Sequence, residues 1–159
     1  MFDNERYAQA SVAFRRTGRD REAKICDAYL LQEKAGLIST TASSARIQAF
    51  LAAAQAFSTC AQNSPIRRVE ERLACYQAAG DCYSKARDPK RAGDSYQLAE
   101  LYPEAACSYQ EGGHFDQVVK VIIERKDAFA DDLHERFMVA ARLHYFKVYF
   151  DSWIISEHT

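Results

Sequence analysis

The chain has 159 residues, long enough for one domain with its own hydrophobic core. Hydrophobic residues make up 48% of it and charged residues 27%, and this balance excludes an intrinsically disordered chain. Its 21 Lys and Arg residues are matched by 22 Asp and Glu residues, so the chain lacks the basic excess that nucleic acid or an anionic membrane would attract.

Helix formation is favoured along the whole chain, because Ala is abundant while only 6 Gly and 3 Pro are present. Gly18 and Gly113 are placed to end helices in the left-handed conformation, and Pro65, Pro89 and Pro103 are placed to begin them. No segment predicts a strand. We predict an all-α fold of seven to eight helices, over residues 4–17, 20–35, 43–61, 65–86, 89–101, 103–112, 114–125 and 130–150.

One pattern recurs four times: an aromatic residue, Ala three positions later, an aromatic four further on, and a small or branched aliphatic residue nine beyond that. The four copies are Tyr7, Ala10, Phe14 and Ala23; Phe50, Ala53, Phe57 and Ile66; Tyr76, Ala79, Tyr83 and Ala92; and Tyr102, Ala105, Tyr109 and Val118. The last three copies begin at positions 50, 76 and 102, a constant offset of 26. A constant offset indicates an internal structural repeat.

The spacing explains how such a repeat would pack. Offsets of 3, 4 and 7 place both aromatics and the Ala on one helical face, where they form the repeat core. The longer gap holds a turn and the first buried residue of a returning helix. We therefore predict antiparallel helical hairpins stacked into a solenoid-like array over residues 1–150, with an internal linker at 36–43 and a tail at 151–159.

Candidate chemical groups are few, and packing explains each of them as well. Cys75 and Cys82 share a helical face, which suits a metal or redox pair, but unpaired Cys more often serves as a small buried apolar residue. His134 and Glu135 follow two Asp residues without the ligand spacing of a zinc site. No activated nucleophile is recognisable. We predict a chain that is not an enzyme and has no catalytic, cofactor-binding or metal residues.

Two sets of residues are candidates for contact with other molecules. The first is a basic set that could meet nucleic acid or an acidic partner, although interleaved carboxylates would explain it as a solvated face of ion pairs. It consists of Arg15, Arg16, Arg19, Arg67 and Arg68. The second is an aromatic set at the end of the array, which either packs under the preceding helices or forms an exposed edge, the interpretation we favour. It consists of Tyr145, Phe146, Tyr149, Phe150 and Trp153.

Residues 71–123, which include CYQAAGDCYSKARDPKRAGDSYQLAELYPEAACSYQEGG at positions 75–113, resemble the tetratricopeptide-like (TPR-like) helical region of large fungal proteins that carry a superfamily 1 (UvrD-like) helicase module and are related to the TPR and ankyrin repeat-containing protein. Residues 2–31, which include YAQASVAFRRTGRDREAKICDAYLL at positions 7–31, resemble an earlier hairpin of that region. The resemblance covers roughly residues 1–147. It implies a TPR-like α-solenoid fold, a helicase-associated scaffold and a chain that is a fragment of a larger protein. The phosphate-binding GxxxxGK[ST] loop of the helicase is absent, so no ATP site is carried over.

The function predicted from the sequence is a non-catalytic interaction or scaffold module that binds protein partners or the rest of a larger polypeptide. One alternative is an accessory domain of a helicase that contacts nucleic acid. Another is a vesicle-fusion adaptor similar to the soluble NSF attachment proteins. The N-terminus has no apolar stretch, and charged residues interrupt the longest apolar runs, so we predict an intracellular chain, cytoplasmic or nuclear, without membrane contact.

Overall fold

The computed structural model describes the backbone of residues 2–157 and the side chains of residues 5–152. The described chain is all-helical and contains no strand, as predicted. Its helices are α1 (Phe2–Arg16), α2 (Asp20–Leu37), α3 (Ser43–Asn63), α4 (Val69–Lys85), α5 (Pro89–Leu98), α6 (Tyr102–Glu111), α7 (Phe115–Glu124) and α8 (Asp131–Glu157), with a short 3-10 helix at Lys126–Ala128 before α8. Within these residues, no helix is both long and apolar enough to cross a membrane.

Three predicted helix ends differ from the structure by more than two residues. Helix α5 ends at Leu98 and not at residue 101. Helix α4 begins at Val69 and not at residue 65, because residues 65–68 form a turn in which the Arg68 N–H donates to the Pro65 carbonyl at 2.9 Å. Helix α8 continues to Glu157, so the predicted tail is helical through that residue. Residues 38–42 connect α2 to α3.

The helices pack in chain order, and each of α2 to α7 contacts both the helix before it and the helix after it. Alanines with no exposed surface lie at these contacts, including Ala53, Ala79 and Ala105, and they let the backbones approach closely. Phe50 and Phe57 fill the core between α2, α3 and α4, whereas a second core joins α6, α7 and α8. The packing is consistent with a stack of helical hairpins.

The predicted repeat core is largely buried. Phe57 and Tyr109 are fully buried, whereas Tyr7 is half-buried and stacks on Tyr29 with the ring centroids 5.1 Å apart. One position is wrong: Ile66, predicted to begin the buried face of a returning helix, is 85% exposed. The reason is that α3 runs to Asn63, so residue 66 falls in the turn before α4.

Four of the turns share one hydrogen-bonding pattern. In each, an N–H just beyond the turn donates to the carbonyl of an aromatic residue five positions earlier, as in the Schellman motif. The bonds are Arg19 to Phe14 at 2.8 Å, Asp88 to Tyr83 at 3.0 Å, Leu101 to Tyr96 at 2.9 Å and His114 to Tyr109 at 2.8 Å. In three of the four predicted copies, the second aromatic (Phe14, Tyr83 or Tyr109) therefore also supplies the carbonyl that closes the helix, and Tyr96, which lies outside the predicted pattern, does the same.

The residue before each of those donors adopts a left-handed conformation: Gly18, Arg87, Glu100 and Gly113, with φ of 70°, 58°, 61° and 72°. The last three lie at positions 87, 100 and 113, so the turns between α4 and α7 recur every 13 residues. This spacing is half of the predicted 26. The recurring unit in this region is one helix with its turn, and the offset from position 76 to position 102 spans two such units.

A Tyr–Gly contact joins successive units. The Tyr96 ring lies against Gly80, where a Cβ would come within 2.7 Å of it, and the Tyr109 ring lies against Gly93, where a Cβ would come within 2.6 Å. The Tyr96 hydroxyl donates to the neighbouring Asp81 at 2.7 Å. Because glycine has no Cβ, Gly80 and Gly93 each leave a slot that a tyrosine ring fills, and the Asp81 carboxylate accepts from the hydroxyl of Tyr96. The same ring–glycine contact is therefore made twice, 13 residues apart.

Candidate interaction surfaces

Three of the five members of the basic set, Arg15, Arg19 and Arg68, form ion pairs with nearby carboxylates. Arg15 pairs with Asp27 between α1 and α2. Arg19 pairs with Glu22 at 3.0 Å, and its guanidinium lies 4.6 Å from the centre of the Phe14 ring. The other two members, Arg16 and Arg67, are exposed and make no ion pair within the described part of the chain.

The structure brings the two halves of the basic set together through Arg21. This side chain pairs with Glu22 and with Glu71, both at 3.1 Å, and Glu71 also pairs with Arg68 at 3.4 Å. A hydrogen bond to its own backbone N–H and then the bond from Arg19 lower the pKa of Glu22 to about 2. The Glu22 carboxylate is therefore ionised at neutral pH and offsets part of the positive charge of this surface.

The two cysteines proposed as a pair, Cys75 and Cys82, belong to different clusters of the core. Cys75 packs with Cys60 and Ala61, whereas Cys82 belongs to the core around Phe50, so their shared helical face does not bring them to one site. Burial raises the pKa of the Cys75 thiol to about 11 and that of the Cys82 thiol to about 12. Both are protonated at neutral pH, and a protonated thiol is a poor nucleophile and metal ligand.

The acidic and histidine residues at the start of α8 make their contacts within that helix and with the residue before it. Asp131 and Asp132 lie in its first turn, where the helix dipole favours negative charge. The His134 N–H donates to the Ala130 carbonyl, and Glu135 lies 3.7 Å from Arg142. No group of His, Cys, Asp and Glu among the described residues is arranged to hold a metal ion.

Two neighbouring cavities that sequence reasoning missed lie along α4, α6 and α8. One, of about 280 Å³, lies between α6 and α8, and the other, of about 320 Å³, lies between α4 and α6. Cys107 and Glu111 line both cavities. The signal in the sequence is the 26-residue offset, which relates α4 to α6 and places equivalent residues of alternate helices on the same side.

Helix α8 has its main contact with α7 and exposes the opposite face. Phe137 and Ala141 are buried, and His144 stacks on Phe115 with the ring centres 4.3 Å apart. Every described side chain from residue 145 to residue 152 is exposed. Of the predicted aromatic edge, Phe146 is 69% and Tyr149 75% exposed; Tyr145 and Phe150 are about half exposed.

The outward stripe of α8 consists of Val139, Leu143, Phe146 and Phe150, spaced by four, three and four residues. Phe146 and Phe150 stack with their ring centres 6.1 Å apart. Trp153, the last predicted member of the edge, lies outside the side chains that the structure describes. Four large apolar residues at this spacing form one continuous helical face, which we call the α8 stripe.

Comparison of the chain with family models, with curated proteins and with solved structures gave no match.

Proposed function

We propose that the chain is a non-catalytic scaffold module that binds an amphipathic helix of a protein partner along the α8 stripe. The observation that carries this proposal is the exposure of that stripe on the outermost helix: Leu143 is 65% and Phe146 69% exposed. Fully burying one such side chain contributes about 1.5–3 kcal/mol, so a helix that covers several of them would offset much of the entropy cost of association.

A helix is the occupant that best matches the packing of the rest of the chain. Each of α2 to α7 contacts two neighbouring helices, whereas α8 has its main contact with α7 alone among the described helices. The stripe has the four-and-three spacing by which helices pack on helices. Asp132, Glu135 and Arg136 flank its first turns and would contribute polar contacts at the rim.

The nucleic-acid alternative is less well supported, because Arg15, Arg19 and Arg68 are paired with carboxylates that a phosphate backbone would have to displace. The adaptor alternative has no feature of the described residues in its favour. The larger helicase-like protein of which we propose the chain to be part would be one source of the partner helix.

The test begins with a photo-crosslinking amino acid at position 143, which traps the partner in cells, and then measures binding of the purified partner by calorimetry. We expect the double variant Leu143→Glu with Phe146→Glu to weaken binding at least about tenfold, which corresponds to about 1.4 kcal/mol. Ile66→Glu is the matched control: it makes the same change at an apolar residue that is 85% exposed and far along the chain from α8.

The outcome that contradicts the proposal is equal partner affinity for the double variant and the control. Size-exclusion chromatography with light scattering tests whether a second copy of the chain, and not a partner helix, covers the stripe. A dimer of the wild-type chain that becomes monomeric in the double variant, but not in Ile66→Glu, would show that a second copy covers the stripe and would replace the proposed partner helix.

A further inference from the structure

A small cationic cavity lies where α3 begins, on the side of the molecule that carries the end of α4. It measures about 110 Å³ and is lined by Thr40, Ser43, Arg46, Ile47, Lys85 and Arg87. The lining comes from three places in the chain: the connection before α3, the first turns of α3, and the end of α4 with its turn. The fold therefore assembles this set from residues that are about 40 positions apart in the sequence.

The charged residues that line this cavity are all cations. Its lining contains three cations and no carboxylate, and none of the three cations forms an ion pair with another described residue. Arg46 and Lys85 lie over the same ring, with their charged groups 5.4 and 5.6 Å from the centre of Phe50. Two cations held beside one ring repel each other, and an anion between them would remove that repulsion.

The geometry of Arg46 fixes one wall of the cavity. Its guanidinium donates to the carbonyls of Gly36 and Ile38, at 3.3 and 2.7 Å, and thereby joins the end of α2 to the start of α3. A guanidinium has five N–H donors, so these two bonds leave further donors of the same side chain for a ligand. Arg46 is thus held in place without being neutralised by a carboxylate.

The beginning of α3 adds to the positive potential. No side chain caps this helix at Ala42. Its first turn contains no acidic residue, whereas the first turns of α2 and α4 do. The first backbone N–H groups of a helix have no partner within the helix and favour an anion. Thr40 and Ser43, which also line the cavity, each carry a hydroxyl that can donate to a ligand.

We propose that this cavity binds a phosphate group. Three cations, two hydroxyls and a helix N-terminus form the donor set that a phosphate dianion requires. A volume of about 110 Å³ corresponds to roughly four water molecules in the liquid, which is the size of a small tetrahedral oxyanion and not of a nucleotide base. The site is distinct from the α8 stripe and does not depend on the proposed partner.

The experiment titrates the full chain with inorganic phosphate and, separately, with N-acetyl-phosphoserine amide, at constant ionic strength maintained with chloride. Amide NMR signals report the site. We expect saturable shifts at residues 41–46 and 85–88. Tighter binding of the phosphoserine compound would identify a phosphorylated side chain as the source of the group, whereas tighter binding of inorganic phosphate would identify the free ion.

The test variant is Arg87→Gly, with Glu100→Gly as its matched control. Arg87 and Glu100 occupy the same left-handed position of turns 13 residues apart, so glycine relieves the same backbone strain in both. Only Arg87→Gly removes a cation from the cavity, and we expect it to weaken phosphate binding by about fivefold or more, with Lys85→Gln giving a similar loss. The control should bind as the wild type does.

Two results would overturn the proposal. One is the absence of saturable shifts at residues 41–46 with either compound. The other is equal phosphate affinity for Arg87→Gly and Glu100→Gly, which would show that the shifts come from general ionic effects.

Discussion

The middle of the molecule and its last helix use similar side chains in opposite ways. Between α4 and α7, large rings lie in slots made by Gly and Ala, as Tyr109 does against Gly93. In the second half of α8, Phe146 and Tyr149 are as large and as apolar but are exposed. The difference lies in the neighbouring helix: Tyr109 is buried because α5 presents a glycine opposite its ring, whereas no described helix covers Phe146.

The largest expected effect tests this comparison directly. Tyr109→Ala empties a fully buried position and should lower the free energy of unfolding by about 3–5 kcal/mol, measured by urea denaturation. Phe146→Ala removes a ring of similar size from an exposed position and should change it by at most about 0.5 kcal/mol. Similar losses in the two variants would mean that α8 is covered in solution.

A side chain at position 93 would close the slot that holds the Tyr109 ring, with the ring itself kept. In Gly93→Ala the added Cβ would lie 2.6 Å from Tyr109, and we expect a loss of about 2 kcal/mol from overpacking. Gly36→Ala is the control, because nothing lies within 4 Å of its added Cβ and alanine favours the helix, so stability should rise slightly. Thermal denaturation of both variants would compare them, and a stable Gly93→Ala protein would refute the close contact.

The stability of the start of α5 is expected to depend on pH. The Asp88 carboxylate accepts from the Arg91 N–H at 3.0 Å and from its side chain at 2.6 Å. Burial alone would raise the pKa of Asp88, but these bonds outweigh it and lower the pKa. The stabilisation is therefore present above the pKa of the unfolded chain and is lost as pH falls through the lower pKa of the folded chain.

Accordingly, Asp88→Ala should cost about 1 kcal/mol at pH 7, and the difference from the wild type should shrink as the solution is acidified below pH about 4. Urea denaturation at a series of pH values measures it. A difference that stays constant down to low pH would show that the carboxylate charge is not what stabilises the helix start.

The smallest effect is a gain. Arg87 and Glu100 adopt left-handed conformations that glycine adopts without strain, so Arg87→Gly and Glu100→Gly should each raise the free energy of unfolding by about 0.5 kcal/mol. The gain is small because glycine also adds flexibility to the unfolded chain. Equal gains would confirm that the two turns are equivalent, and a loss at either position would contradict the shared turn geometry.

Much of the fold was predictable because it is local. Ring and alanine spacing identified the buried face of α3, α4 and α6, and Gly18 and Gly113 marked two of the four Schellman turns. The other two turns were harder to recognise, since Arg87 and Glu100 are unusual residues for a left-handed position. The 13-residue period was not recognised from the sequence, because two of the three turns that define it have no glycine.

Which segments are helical, and which face of each helix is apolar, could be predicted from the residues alone, because both follow from intrahelical hydrogen bonds and from the 3.6-residue period. The contacts between helices could not: Tyr96 with Gly80, Arg21 with Glu71, and Arg46 and Lys85 each with Phe50 depend on how the helices pack. Periodicity fixes the direction of a side chain from its own helix axis, whereas the distance between two helices depends on the volumes of all the side chains between them.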